Sequence, residues 1–206
     1  MSTGEKLHPG HRSIRLKGRD YSAPAIYFVT ICVEERCCVF GEIKENQMEV
    51  SGLGSIVRET WNAIPRHFAQ VNLHDFVIMP NHVHGLIEIA CQAGAQHAAP
   101  LQQTSHANLG SPAVKAGSLS AIVRSFKAAV TLRARKELGW SGEIWQRNYF
   151  ERVVRDGQEF SDASRYIAEN PLMWELDKEN PQPKKTPAAK FVGAQHAAPQ
   201  LGKIFR

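Results

Sequence analysis

"VIMPNHVHGLIEI", Val77 to Ile89, sets a Pro-Asn pair between two apolar runs and plants two histidines, His82 and His84, one residue apart. Pro80 and Asn81 are turn formers, so the stretch reads as the bend of a β-hairpin. "VNLHDFVIMP" enters the bend as one strand and "HVHGLIEIA" leaves it as the next. Successive side chains on a strand point to opposite faces, so His82 and His84 share a face and Val83 takes the other. Two imidazoles in that relation can converge on one divalent cation. They can equally be packing residues of a half-buried strand. H-x-H by itself decides nothing, because a catalytic metal site also needs a third ligand and an open position. On this reading Val83 and Leu86 anchor the strand in the core while His82 and His84 look outward.

Outward from the hairpin, the chain alternates strand and helix signals. "APAIYFVTICVEE" (23–35) is rich in β-branched and aromatic residues and predicts a strand. "CCVFGEI" (37–43) and "NQMEVS" (46–51) read as short strands. "GLGSIVRETWNAIPRHF" (52–68) has Ile56, Val57, Trp61 and Ile64 at helical spacing and ends near Pro65. "SLSAIVRSFKAAVTLRARKELG" (118–139) predicts a long helix, with Ser118 or Ser120 as its cap and Gly139 at its end. "IWQRNYFERVVRD" (144–156) alternates as a strand does. "GQEFSDASRYIAENPLMWELD" (157–177) predicts a helix starting near Ser161 or Asp162 and interrupted around Pro171. Such an order predicts an α+β fold, an antiparallel central sheet with flanking helices. The split βαββαβ arrangement of ferredoxin-like and RRM-like domains closes it. That architecture hosts many functions and fixes none.

Composition narrows the classes. At 206 residues and 43% hydrophobic, the chain supports one domain with trimmings, or at most two small ones. The formal net charge of +5 suits an anionic partner such as nucleic acid. Cys32, Cys37, Cys38 and Cys91 form no C-x-x-C pair, so neither a zinc knuckle nor a disulfide framework is indicated. The polar N-terminus lacks an apolar signal core and no stretch has the length of a membrane span. With free thiols, the expected location is the reducing cytoplasm. Residues 1–22 read as a basic flexible arm, 23–177 as the domain, and 178–206 as a disordered Lys/Pro/Ala-rich tail. A low-complexity loop, 91–117, interrupts the domain. "GAQHAAP" occurs at 94–100 and again at 193–199, outside the expected fold both times.

Two sets of residues could carry chemistry besides the histidines. "YIAENP" places Tyr166 and Asn170 four apart, hence on one face of a helix, with Glu169 beside them. Packed against the histidine strand, they would complete a site of two imidazoles, an amide and a phenol. Taken alone, Tyr166 also reads as a half-buried helix aromatic and Asn170 as a C-terminal cap. Arg124 and Lys127 on the long helix, with Arg147 and Arg152 around the last strand, are candidate phosphate contacts. Each singly also reads as solvated charge. Trp145 could stack on a base or fill the core.

The ordered blocks "IYFVTICV", "VIMPNHVHGLIEI", "GEIWQRNYFERVVRD" and "SRYIAENP" together resemble the single-tyrosine HUH transposases, in particular the REP-associated tyrosine transposase group of bacteria. The resemblance spans roughly residues 20–175, with Val83 in the hydrophobic middle position of the HUH motif. It implies an HUH endonuclease-type fold, His82, His84 and Asn170 as ligands of Mg²⁺ or Mn²⁺, and Tyr166 as nucleophile. The implied substrate is single-stranded DNA beside a REP-like foldback hairpin, cut and rejoined through a 5′-phosphotyrosine. The alternatives are a nucleic-acid-binding module that has kept the fold without the cutting, and a metal-dependent hydrolase without a covalent intermediate. For the latter no carboxylate cluster is visible.

Overall fold

The computed structural model describes residues 23–91, 115–177 and 179–181. The N-terminal arm, most of the Ala/Gln-rich loop, both "GAQHAAP" copies and all of the tail but 179–181 lie outside the described residues. Six strands and four α-helices follow one another as β1 (Ala25–Cys32), β2 (Gly41–Lys44), β3 (Gln47–Val50), α1 (Gly52–Asn62), α2 (Ile64–His67), β4 (Val71–Met79), β5 (His82–Ile89), α3 (Leu119–Leu138), β6 (Phe150–Val154) and α4 (Gly157–Glu169). Short 3-10 turns occupy Glu34–Arg36 and Asn170–Leu176. β4, β5, β1 and β6 form one sheet in that order, every neighbouring pair antiparallel. With the α1–α2 segment crossing from β1 to β4, and α3 from β5 to β6, this is the split βαββαβ order expected from the sequence. β2 and β3 make a separate hairpin whose turn residues, Glu45 and Asn46, both have positive φ, as a tight two-residue bend requires.

Register sorts the side chains into two faces. One bears Tyr27, Val29 and Ile31 of β1 with Val83, Ile87 and Ile89 of β5, and it meets α1 and α3 through Leu53, Ile56, Val57, Trp61, Ile122, Phe126 and Val130. Trp61 stacks on Phe76 at 4.4 Å and meets Phe126 edge-on at 5.5 Å. Trp145 belongs to this core, against Phe40 and Phe126, with its Nε1 donating to the Lys127 carbonyl. Fully burying such side chains is worth about 1.5–3 kcal/mol each, so this layer dominates stability. The opposite face carries His82, His84 and Leu86 of β5, Thr30 and Phe28 of β1, and Arg152 of β6. There α4 lies over a smaller cluster of Phe28, Leu86 and Ile167.

Three sequence expectations are corrected here. Leu86 has the parity of the histidines and packs under α4, on the face opposite Val83. His82 and His84 do not look outward: they are 0% and 3% exposed, because α4 roofs their face. α4 begins at Gly157, a turn before Ser161, since the Asp156 carboxylate caps it by accepting from Glu159 N at 2.8 Å. The other helix-end signals hold. Ser118 caps α3, Gly139 ends it at φ 64°, and α4 gives way to a 3-10 turn at Pro171.

Candidate active site

The β4–β5 hairpin delivers the two imidazoles edge to edge. His82 Nε2 and His84 Nε2 are 3.0 Å apart, and the ring centroids are separated by 4.5 Å. Each ring is held from behind through its other nitrogen. His82 Nδ1 lies 2.8 Å from Asn81 Oδ1, and His84 Nδ1 lies 2.8 Å from Thr30 Oγ1 across the β1–β5 pair. Phe28 stacks on His84 at 5.3 Å, and Trp174 flanks His82 at 6.2 Å.

α4 supplies the other half. Phe160, Ala163, Tyr166, Ile167 and Asn170 recur at helical spacing, so this face meets the sheet. The Tyr166 hydroxyl reaches 3.5 Å from His84 Nε2, and its ring meets His84 edge-on at 5.2 Å. Asn170 is 3% exposed, whereas Glu169 beside it is exposed and stays out of the site. Burial raises the Tyr166 pKa above the ordinary phenol value; a hydrogen bond from Asn170 opposes the shift, and the Asp177 carboxylate adds to it. Asn170 Oδ1 is buried without a hydrogen-bond partner among the described residues. A buried carbonyl-type oxygen left unmatched costs about 1–3 kcal/mol, and it marks a place for a donor or a cation.

A divalent ion fits these residues. The two imidazole Nε2 atoms lie 3.0 Å apart, and an orphaned amide oxygen sits one helical turn from the tyrosine that touches His84. Two nitrogens and an oxygen form a slightly soft set for Mg²⁺ and suit Mn²⁺ at least as well. Among the described residues no group of three His, Cys, Asp or Glu side chains could hold a metal, so the two histidines would need an oxygen ligand of another kind, such as the Asn170 amide.

The basic candidates are placed differently from one another. Arg124 and Arg147 are exposed. Lys127 turns inward, its ammonium donating to the Gln146 and Asn148 carbonyls at 2.7 and 3.0 Å, and burial lowers its pKa to about 8. Arg152 pairs with Glu159 at 2.7 Å and ties β6 to the first turn of α4. Tyr149 packs on the α1–α3 side, its hydroxyl 3.2 Å from Ser120 Oγ. Tyr27 is wholly buried and donates to the Ala23 carbonyl. His74 pairs with Glu88 at 3.0 Å, at the edge of the α4 face. Sequence reasoning passed over Thr30, Asn81, Trp174 and Asp177 as members of the site. Asn81 adjoins His82 in the chain, so its role was open to suspicion. Thr30 is placed only by strand register, which the sequence does not display.

No family model matches the chain. An uncharacterized protein of Haemophilus influenzae (strain ATCC 51907 / DSM 11121 / KW20 / Rd) is 42% identical over 169 residues, covering 81% of this chain and 91% of that protein. Among solved structures, a REP-associated tyrosine transposase bound to a REP hairpin superposes with a TM-score of 0.51 at 15% identity, over 77% of this chain and 73% of that one. A putative transposase of Deinococcus radiodurans R1 shows 18% identity and a TM-score of 0.40, over 75% of this chain and 97% of that one. The chain thus belongs to one family with the H. influenzae protein, and it has the fold of the REP-associated tyrosine transposase.

Proposed function

We propose that the protein is a metal-dependent transposase that nicks and rejoins single-stranded DNA at hairpin-forming sequences through a covalent 5′-phosphotyrosine. The carrying observation is that β5 and the end of α4, segments about eighty residues apart, bring the His82–His84 pair against Tyr166, with Asn170 buried and hydrogen-bonded to that tyrosine. The fold of a transposase solved with a REP hairpin supports the choice of substrate. A non-catalytic binding module would have no need to keep all four groups together.

The residues divide the work. A cation held by His82, His84 and Asn170 supplies positive charge against the scissile phosphate when bound. Tyr166 Oη is the nucleophile: it loses its proton to solvent, forms the bond to phosphorus, and displaces the 3′-oxygen, which leaves as a 3′-hydroxyl. The 5′-phosphate stays on the tyrosine, so the bond energy is kept and rejoining needs no nucleotide cofactor. Phe28 and His84 fix the phenol ring, which limits the orientations lost before attack. Burial holds its pKa above the ordinary phenol value, so the phenol enters the reaction protonated and gives up its proton as the bond to phosphorus forms.

The test is a labelled hairpin oligonucleotide with a single-stranded flank, incubated with Mn²⁺ or Mg²⁺ and resolved under denaturing conditions. A protein–DNA adduct should form, vanish with chelator, and vanish in His82→Ala and in His84→Ala. Cleavage that persists in chelator would exclude the metal-dependent reading.

A further inference from the structure

Asn81 is 1% exposed and its side chain is used at every polar atom. Nδ2 lies 3.0 Å from the Arg36 carbonyl and 2.7 Å from the Glu179 carbonyl. Both of those oxygens can only accept, so the amide nitrogen must face them and Oδ1 must face His82. Oδ1 in turn can only accept, and His82 Nδ1 stands 2.8 Å from it. Nδ1 therefore carries the proton, and Nε2 directs its lone pair toward His84 Nε2, 3.0 Å away. Which ring nitrogen of a histidine is protonated follows from the bond its partner nitrogen makes.

His84 is held by a different kind of group. Its Nδ1 is 2.8 Å from Thr30 Oγ1, and a hydroxyl can either donate or accept. With His82 locked, the single proton between the two Nε2 atoms belongs to His84, and the Thr30 hydroxyl donates to His84 Nδ1. If the His84 proton moves to Nδ1, Thr30 accepts it without losing the contact, and both Nε2 lone pairs then face the same point. The amide is the rigid half of the pair and the hydroxyl the permissive half.

We infer that Asn81 is a positioning residue that locks His82 as the Nδ1–H tautomer, so that Nε2 is always presented to the site as a ligand, with Thr30 letting His84 follow. The inference rests on the metal-site reading for its purpose, not for its geometry. Because the same amide grips the Arg36 and Glu179 carbonyls, the lock also holds the 3-10 turn after β1 and the segment at 179–181 to the floor of the site.

The tautomer is read directly by ¹⁵N chemical shifts of the imidazoles in the metal-free full chain, and Mn²⁺ affinity by electron paramagnetic resonance. The wild type should show His82 protonated at Nδ1. Asn81→Ala should lose that preference and weaken Mn²⁺ binding by about 10–100-fold, the usual cost of losing an outer partner of a ligating histidine. Asn81→Asp, which keeps an acceptor for His82 Nδ1 but loses the donor to the Arg36 and Glu179 carbonyls, should keep the Nδ1–H tautomer while loosening that anchorage. Thr30→Val should leave His82 unchanged and alter only His84. A wild-type His82 protonated at Nε2, or an Asn81→Ala protein with unchanged shifts and unchanged Mn²⁺ affinity, would overturn the inference. Wild-type protein that keeps the Nδ1–H tautomer yet binds no Mn²⁺ would uphold Asn81 as the lock and count against the metal site instead.

Discussion

Gly85 shows how tightly a single position of the central hairpin is constrained. A Cβ added there would stand 2.4 Å from Trp61 Cζ2 and 2.7 Å from Cη2, and Phe76, stacked on that ring, stands 3.3 Å from the same Cβ. Gly85→Ala should destabilise the protein by about 1–3 kcal/mol, the usual result of overpacking a closed core, as measured by urea unfolding. Lys127 makes the second prediction at this scale. Its folded pKa of about 8 lies below its ordinary 10.5, so between those values the unfolded chain binds more protons than the folded one. Stability from this residue is therefore lowest below pH 8 and rises with pH through that window. From pH 7 to pH 10 the wild type should gain on Lys127→Met by something of the order of 2 kcal/mol; a constant difference would refute the assignment. The sequence displayed these residues unevenly. Strand parity paired His82 with His84, and the same parity places Leu86 beside them, yet apolar character alone suggested the other face. Nothing local announces that Lys127 folds inward, because its partners are carbonyls that any residues would supply.

At the scale of elements, α4 is the part on which the proposed activity depends. It is fastened by the Asp156 cap, by the Arg152–Glu159 ion pair, and by a small cluster around Phe28, Leu86 and Ile167. That attachment is slight beside the α1–α3 layer, so loosening it should misplace Tyr166 before it unfolds the domain. Arg152→Ala is expected to lower the single-turnover cleavage rate by about 10-fold or more, since small misplacements of a nucleophile are costly, while hairpin affinity changes little. Equal losses in rate and affinity would instead make Arg152 a direct phosphate contact. The helix itself was legible from its apolar spacing and from Pro171. Its true start was not, because Asp156 competes with Ser161 and Asp162 as a cap and only the turn geometry chooses between them. The alternation over 144–156 predicts a longer last strand than the Phe150–Val154 observed. Residues 146 and 148 spend their carbonyls on Lys127 rather than on a ladder, which strand propensity cannot foresee.

For the whole molecule, the sheet separates the main core from the candidate site. One face carries the main core under α1 and α3; the other carries the site under α4. Arg124, on α3, is thus in the layer opposite Tyr166, and any DNA that touches both must wrap an edge of the sheet. Binding of a single-stranded flank should weaken with salt, and loss of each phosphate contact, tested with Arg124→Ala and Arg147→Ala, should reduce the log–log salt slope by about 0.7. An unchanged slope would take that arginine off the DNA path. The alternation of strands and helices made the β4-β5-β1-β6 order foreseeable, since few arrangements close such a list. That α4 would cover the remaining face was visible only through the resemblance of "YIAENP" to a nucleophile helix. The covalent link itself is the most direct measurement: trap the adduct on a hairpin oligonucleotide with Mn²⁺, digest it, and locate the nucleotide by mass spectrometry. Attachment at Tyr166, with no adduct in Tyr166→Phe and a normal one in Tyr149→Phe, is the predicted result. Attachment at another residue, or cleavage surviving Tyr166→Phe, would contradict it.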